Sequence, residues 1–231
     1  MSRGYSFRPR GWALALALGA CAAGIALGNW QERRAEEKRA VGARIDNALH
    51  SAPREIPTSP IDSREFVLQA VAARGQFVPE RTVLLDNKLR HGRLGYEVIT
   101  PLRLGPRMHV LVNRGWIARE HRSELRTPRG EVRISGLALE HLPRVLKLGE
   151  APKDEIRQTL DIAEFAAETG LELQPIIIEE HAGPDDGLVR EWPRPDLGVE
   201  KHEAYALQWY ALAALAVVLL IVLSIRRVKP A

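Results

Sequence analysis

The sequence predicts a membrane protein in which two transmembrane helices flank an antiparallel α+β domain, barrel-like in its strand pattern and held outside the cytoplasm. Three observations carry that expectation. Uncharged apolar runs lie near both ends, Gly11 to Gln31 and Ala204 to Ile225. Each is about long enough to cross a hydrocarbon layer of roughly 30 Å at 1.5 Å per residue. The stretch between them is charged throughout and breaks into short apolar pieces at Gly and Pro, the rhythm of strands. The expected organisation is a cytoplasmic tail over 1–10, a first span over 11–30, an extracytoplasmic domain over 31–201, a second span over 202–225 and a cytoplasmic tail over 226–231.

The first run could also be read as a cleaved signal, because Leu18-Gly19-Ala20-Cys21 resembles a lipoprotein cleavage box. Its apolar character continues past Cys21 to Trp30, an aromatic suited to a membrane interface, so a retained span is the better reading. Gln31 to Leu49, rich in Glu, Arg, Ala and Lys, continues as a helical stalk until three prolines in 51–60 make a linker.

From Glu65 the pattern shortens. Phe66-Val67-Leu68, Phe77-Val78 and Thr82 to Leu85 read as strand pieces, and Tyr96 to Leu104 with Met108 to Asn113 bracket a Gly105-Pro106 hairpin turn. Glu131 to Leu139 alternates, placing Val132, Ile134 and Leu137 opposite Arg133 and Ser135. Leu160 to Thr169 is a short helix capped near Asp161 and stopped at Gly170, and Pro175 to Glu180 is a last β-branched strand. Residues 183–201 form a polar loop leading back to the bilayer.

Charge location narrows the function. The chain carries 33 basic against 29 acidic residues, a formal +4. Arg3, Arg8 and Arg10 precede the first run and Arg226, Arg227 and Lys229 follow the second. Without those six, 27 basic residues face 29 acids. The excess is a pair of membrane anchors and not a nucleic-acid footprint. Arg33, Arg34, Lys38 and Arg39 argue for the opposite orientation, but long domains translocate largely regardless of charge, so the short tails decide. Cys21 is the single cysteine, so the middle of the chain has no disulfide framework, CxxC pair or thiolate metal site. Phosphate-loop, HExxH and GxSxG motifs are absent as well.

Two constellations stand out. On a helix, Tyr205 lies about 60° and Trp209 about 20° from His202, so the three share a face that continues into Ala213 and Ala216. An imidazole above aromatics and alanines could ligate iron and stack a porphyrin, or the group could be an interfacial aromatic belt. The second is Asn113-Arg114-Gly115-Trp116 at the end of a strand whose Val110 and Val112 face the core. It is either a turn built on Gly115 with Trp116 beneath it, or a site where Arg114 pairs with an anionic group. The remaining histidines show no ligand spacing.

Four blocks together resemble the surfeit locus protein 1 family, assembly factors of haem-copper cytochrome oxidase. They are Leu27-Gly28-Asn29-Trp30-Gln31-Glu32-Arg33 with Lys38, then Gly95-Tyr96-Glu97-Val98-Ile99-Thr100-Pro101-Leu102. Leu111-Val112-Asn113-Arg114-Gly115-Trp116-Ile117 follows, and finally His202 with Tyr205-Ala206 and Trp209-Tyr210. The likeness covers both apolar runs and residues 65 to 120, and is poor over 142–199. Glu200-Lys201 stand where the family often has asparagines, and Ala118 where it often has proline.

The resemblance implies a non-enzymatic, two-span factor of the bacterial inner membrane, or its mitochondrial counterpart; with the basic tails, the expectation is that both termini are cytoplasmic and the domain is in the periplasm. The factor would aid delivery or insertion of haem a into oxidase subunit I, with haem a synthase a further partner beside the membrane lipids. His202 would be the haem-iron ligand, Tyr205 and Trp209 the pocket, and Arg114, Arg33 or Arg34 propionate partners. The alternative is a haem-independent scaffold that stabilises an oxidase assembly intermediate.

Overall fold

Residues 5–142, 155–193 and 197–227 are described by the computed structural model. Arg3, Lys229 and the outer parts of both expected tails lie outside them. The elements run β1 (Tyr5–Phe7), α1 (Gly11–Leu49), β2 (Arg54–Glu55), β3 (Ala70–Phe77), β4 (Val83–Arg90), β5 (Arg93–Arg103), β6 (Met108–Ala118), β7 (Glu131–Leu139), β8 (Ile156–Arg157), α2 (Ile162–Thr169), β9 (Glu172–Ala182), α3 (Val199–Ser224) and β10 (Ile225–Arg227). They form two compact units, one of residues 1–43 with 194–231 and the other of 44–193.

Alternation explains the second unit. Ile176, Ile177 and Ile178 are all fully buried, because successive side chains of β9 enter different cores. Ile176 and Ile178 join Val110, Val112, Ile134 and Phe77 inside a barrel. Ile177 points outward with Leu111 to meet Phe165 of α2 and Leu160. The barrel wall is the closed circuit β3–β7–β9–β6–β5 and back to β3, antiparallel except for the parallel β6–β9 pair. Closure occurs at Gln76↔Arg103 and Phe77↔Leu102, while the first half of β5 pairs instead with β4. Two-residue strands β2 and β8 extend the sheet in parallel on β3 and β4. Two apolar helices thus flank a sheet domain containing a five-stranded barrel.

Several local expectations hold. The Gly105-Pro106 turn joins β5 to β6, with the Leu104 amide bonded to the Met108 carbonyl at 2.9 Å. Asp161 caps α2 by accepting from the amides of Ala163 and Glu164, and Gly170 ends it in the left-handed region at φ 71°.

Others are corrected. Phe66-Val67-Leu68 is not a strand: a 3-10 turn over Ser63–Glu65 leads into it, and Leu68 sits at φ 59°. In β7 plain alternation carries Val132, Ile134 and Ala138 into the barrel and puts Leu137 on the other face with Arg133 and Ser135, while the register against β9 shifts between Ser135 and Gly136. A Cβ at Gly136 would collide with the Glu179 carbonyl. The strand β6 does not end at Asn113 but runs on to Ala118.

In the first unit, α1 is one continuous helix of 39 residues, including the expected stalk, and α3 has 26. Both are long and apolar enough to cross a membrane. β1 and β10 pair beside their ends, where the Arg8 amide bonds to the Ser224 carbonyl at 2.9 Å.

Candidate functional site

The two long helices meet along stripes of small residues. On α1, Ala17, Cys21, Gly24, Gly28, Gln31 and Ala35 recur at alternating steps of four and three and are buried or half-buried. On α3 the same steps give His202, Ala206, Trp209, Ala213, Ala216 and Leu220. Steps averaging 3.5 keep one seam facing a partner along a left-handed crossing. The contacts run in reverse order, so the pair is antiparallel. A Cβ on Gly24 would lie 2.9 Å from the Ala213 Cβ and from the Trp209 carbonyl oxygen, and one on Gly28 would overlap the Tyr210 ring. The face that Ala213 leaves open is therefore filled by α1.

Beyond the small residues the seam becomes polar. Gln31 Oε1 lies 2.6 Å from His202 Nδ1. The Tyr210 hydroxyl donates to Asn29 Oδ1 at 2.7 Å and, at 3.4 Å, to Glu32. Lys38 Nζ donates to the Leu197 carbonyl at 2.6 Å, and Arg39 pairs with Glu203. The α3 helix starts on Gly198, whose left-handed φ of 63° suits glycine. As an amide oxygen, Gln31 Oε1 accepts from Nδ1–H, which leaves the lone pair on Nε2. A metal-binding histidine commonly has this arrangement, with one ring nitrogen held by protein and the other presented to the metal.

Of the residues singled out in the sequence, His202 and Trp209 are half-buried on the α1 side of α3, whereas Tyr205 is 53% exposed. The expected common face is thus split: α1 covers the His202–Trp209–Ala213 line and Tyr205 stands outside it. Arg33 is exposed, and Arg34 pairs with Glu37 at 2.8 Å while lying 5.9 Å from the Trp30 ring.

Arg114 belongs to the other unit and is fully buried. Its guanidinium donates to Asp186 Oδ2 at 2.6 Å, to the Arg126 carbonyl at 2.6 Å and to Thr127 Oγ1 at 3.0 Å, 5.0 Å from the Phe77 ring centroid. The anionic group it meets is the protein's own. Asp186 also accepts from Arg190 at 2.8 Å, and Arg190 lies 2.9 Å from Glu180. Burial pushes the Glu180 carboxyl up to about 7, with Arg190 opposing the rise. Gly115 has φ 143°, and a Cβ there would press on Leu188 and the Val189 carbonyl, so the special backbone angle expected at Gly115 is present, inside a strand instead of a turn.

The blocks quoted from the sequence now sort by contact. Gly28, Asn29, Gln31 and Glu32 of the first block meet His202 and Tyr210 of the last. Gly95 of the second packs on Trp116 of the third, and Glu97 accepts from Asn113 at 3.3 Å. Nothing in the sequence alone pairs Gln31 with His202. The Gly24-to-Gly28 spacing in an apolar run was the signal for the helix seam. Asp186, Glu180 and Arg190 carry no motif, so nothing local announced their meeting with Arg114.

Comparison with known proteins agrees in extent with these contacts. Residues 18–214 match the model of the SURF1 family. A SURF1-like protein of Drosophila melanogaster is 28% identical over 238 residues, covering 89% of this chain and 74% of the relative. Surfeit locus protein 1 of Gallus gallus is 28% identical over 223 residues, covering 81% and 67%. A SURF1-like protein of Dictyostelium discoideum is 31% identical over 111 residues, covering 44% and 41%. Since the matched residues reach from α1 through the whole barrel into the seam-forming part of α3, this chain belongs to the SURF1 family.

Proposed function

We propose that this protein is a non-enzymatic assembly factor for haem-copper cytochrome c oxidase that assists the delivery or insertion of haem a into subunit I. In this reading α1 and α3 span the bacterial inner membrane, both termini are cytoplasmic and the barrel stands in the periplasm. Subunit I and haem a synthase are the protein partners. Family membership is the observation that carries the reading, and the Gln31–His202 pair is its local support.

The residues at the start of α3 would hold a haem through a single imidazole, that of His202. Haem iron brings four nitrogens of its own, so a single imidazole is a sufficient protein ligand. His202 offers Nε2, Gln31 holds the ring through Nδ1, and the exposed Tyr205 provides a flat surface beside it. Trp209 and Ala213 serve the helix seam and only border the site. Arg33, exposed one turn from Trp30, is the guanidinium best placed in sequence for a propionate. Arg114 is left out of this role because its donors are spent on Asp186, Arg126 and Thr127.

The test is an absorption spectrum of detergent-purified protein co-expressed with a haem a synthesis pathway, wild type beside His202→Ala. A haem a spectrum that is lost or shifted in the variant is expected; equal spectra would remove His202 as ligand. One observation favours a second reading, a haem-independent scaffold: α1 already fills the small-residue face of α3. Absence of haem from both proteins, with oxidase assembly intact in His202→Ala cells, would select it.

A further inference from the structure

A cleft of about 820 Å³ opens in the barrel unit between the turn that follows β3 and the loop that precedes β7. Pro79, Pro128 and the edge of the buried Phe77 contribute to its lining. Arg103, Arg126 and Arg129 line it. Arg103 is oriented by Gln76 Oε1 at 2.5 Å, while Arg126 and Arg129 are exposed and make no side-chain hydrogen bond or ion pair among the described residues. Glu80 is the one acid on the lining.

The cleft is a built feature. Fully buried Arg114 ties down the loop through the Arg126 carbonyl and the Thr127 hydroxyl, and its guanidinium packs against Phe77. Asp186 holds Arg114 from the other side. A buried ion pair thus fixes the backbone that carries two guanidiniums without a side-chain partner among the described residues. They belong to a unit that is otherwise acidic, with 21 basic against 23 acidic residues over 44–193.

We propose that this cleft binds an acidic peptide segment of a partner protein. Guanidiniums take carboxylates bidentately, and three around one concavity select a run of acids over an isolated one. Half-buried Val78 and Leu125 with the two prolines, backed by buried Phe77, offer apolar contact between the charges, which a peptide uses and a bare oxyanion does not. A lipid surface fits less well. Among the described residues, none of the exposed large apolar side chains lies on the cleft, so nothing there protrudes to enter a bilayer. The proposal is independent of haem binding at His202.

The experiment is fluorescence anisotropy with the full-length detergent-solubilised protein and a fluorescein-labelled peptide of repeating glutamate and leucine. The double variant Arg126→Ala with Arg129→Ala is compared with Arg107→Ala with Arg133→Ala, which removes the same charge elsewhere on the unit. Tripolyphosphate and phosphatidylglycerol vesicles serve as parallel ligands. Expected is salt-sensitive peptide binding that weakens about tenfold or more in the cleft variant and stays within about twofold in the control. Equal loss in both variants would reduce the effect to general charge. Loss of tripolyphosphate or vesicle binding in place of peptide binding would reassign the cleft to an oxyanion or a lipid headgroup. Absence of peptide binding to the wild type would overturn the proposal outright.

Discussion

Gln31 and His202 lie 171 positions apart in the chain and 2.6 Å apart at the polar end of the helix seam, where the amide oxygen of one holds the Nδ1 proton of the other. An amide oxygen at this place favours the tautomer with its proton on Nδ1. Replacing Gln31 by Leu frees both ring nitrogens. Ring ¹⁵N chemical shifts should show the Nδ1–H form in the wild type and a mixture in Gln31→Leu, with a stability loss of about 0.5–1.5 kcal/mol. An unchanged tautomer would show that Gln31 does not hold the ring.

The seam should be less forgiving than its apolar composition implies. Gly24→Leu forces a side chain against the Trp209 carbonyl and Ala213, so the helices must part. The expected loss is about 1–3 kcal/mol, read as a lower melting temperature in detergent. Gly19→Leu on the same helix, where a Cβ meets nothing within 4 Å, should leave it unchanged.

In the barrel unit, removing Arg114 leaves Asp186 buried with Arg190 as its remaining cation. Breaking such a pair from one side costs about 3–5 kcal/mol. For a unit of this size Arg114→Leu should melt roughly 10 °C lower by calorimetry. A shift of only 1–2 °C would contradict the assigned pairing.

Glu180 makes the barrel sensitive to pH in an unusual direction. Its folded carboxyl titrates near 7, above the ordinary 4.5, because burial disfavours the charged form. The unfolded chain gives up this proton first. The group therefore costs nothing below about pH 4.5, erodes stability as pH rises from there to about 7, and imposes a constant penalty above that. The full effect is on the order of 3 kcal/mol. Glu180→Gln should gain stability relative to the wild type between pH 5 and pH 8 in urea titrations. A pH-independent difference between the two would remove Glu180 as the cause.

What could be read from the sequence was what depends on neighbours in the chain. The apolar runs, the Gly105-Pro106 hairpin and the Asp161 and Gly170 caps are written in a few consecutive residues. Gly92 marks a tight turn in the sequence, but the pairing of β4 with β5 across it is not announced, because His91, at φ 50°, stands where asparagine is the familiar hairpin signal. Closure of β3 on β5 and the parallel β6–β9 pair join distant segments, and no periodicity records which strands will be neighbours. The same holds for the candidate site. His202 was legible as a residue type at a helix start, but its partner on α1 was not, and Arg114 looked available because Asp186 lay in a stretch read only as loop.

The reversed order of contacts between the first and last helices has a consequence for biosynthesis. Asn29, Gln31 and Glu32 leave the ribosome well before the Tyr210 and His202 side chains that will bind them. At about 5–20 residues per second, the interval is on the order of 10–30 s. During it α1 carries polar side chains without their final partners, and the barrel waits for its last wall strand, β9. Docking of α3 ends that exposure, so a formed Gln31–His202 contact marks a chain that has been made at least as far as α3. A ligand that needs a fixed His202 would accordingly find no binding site on a nascent or truncated copy that stops before α3.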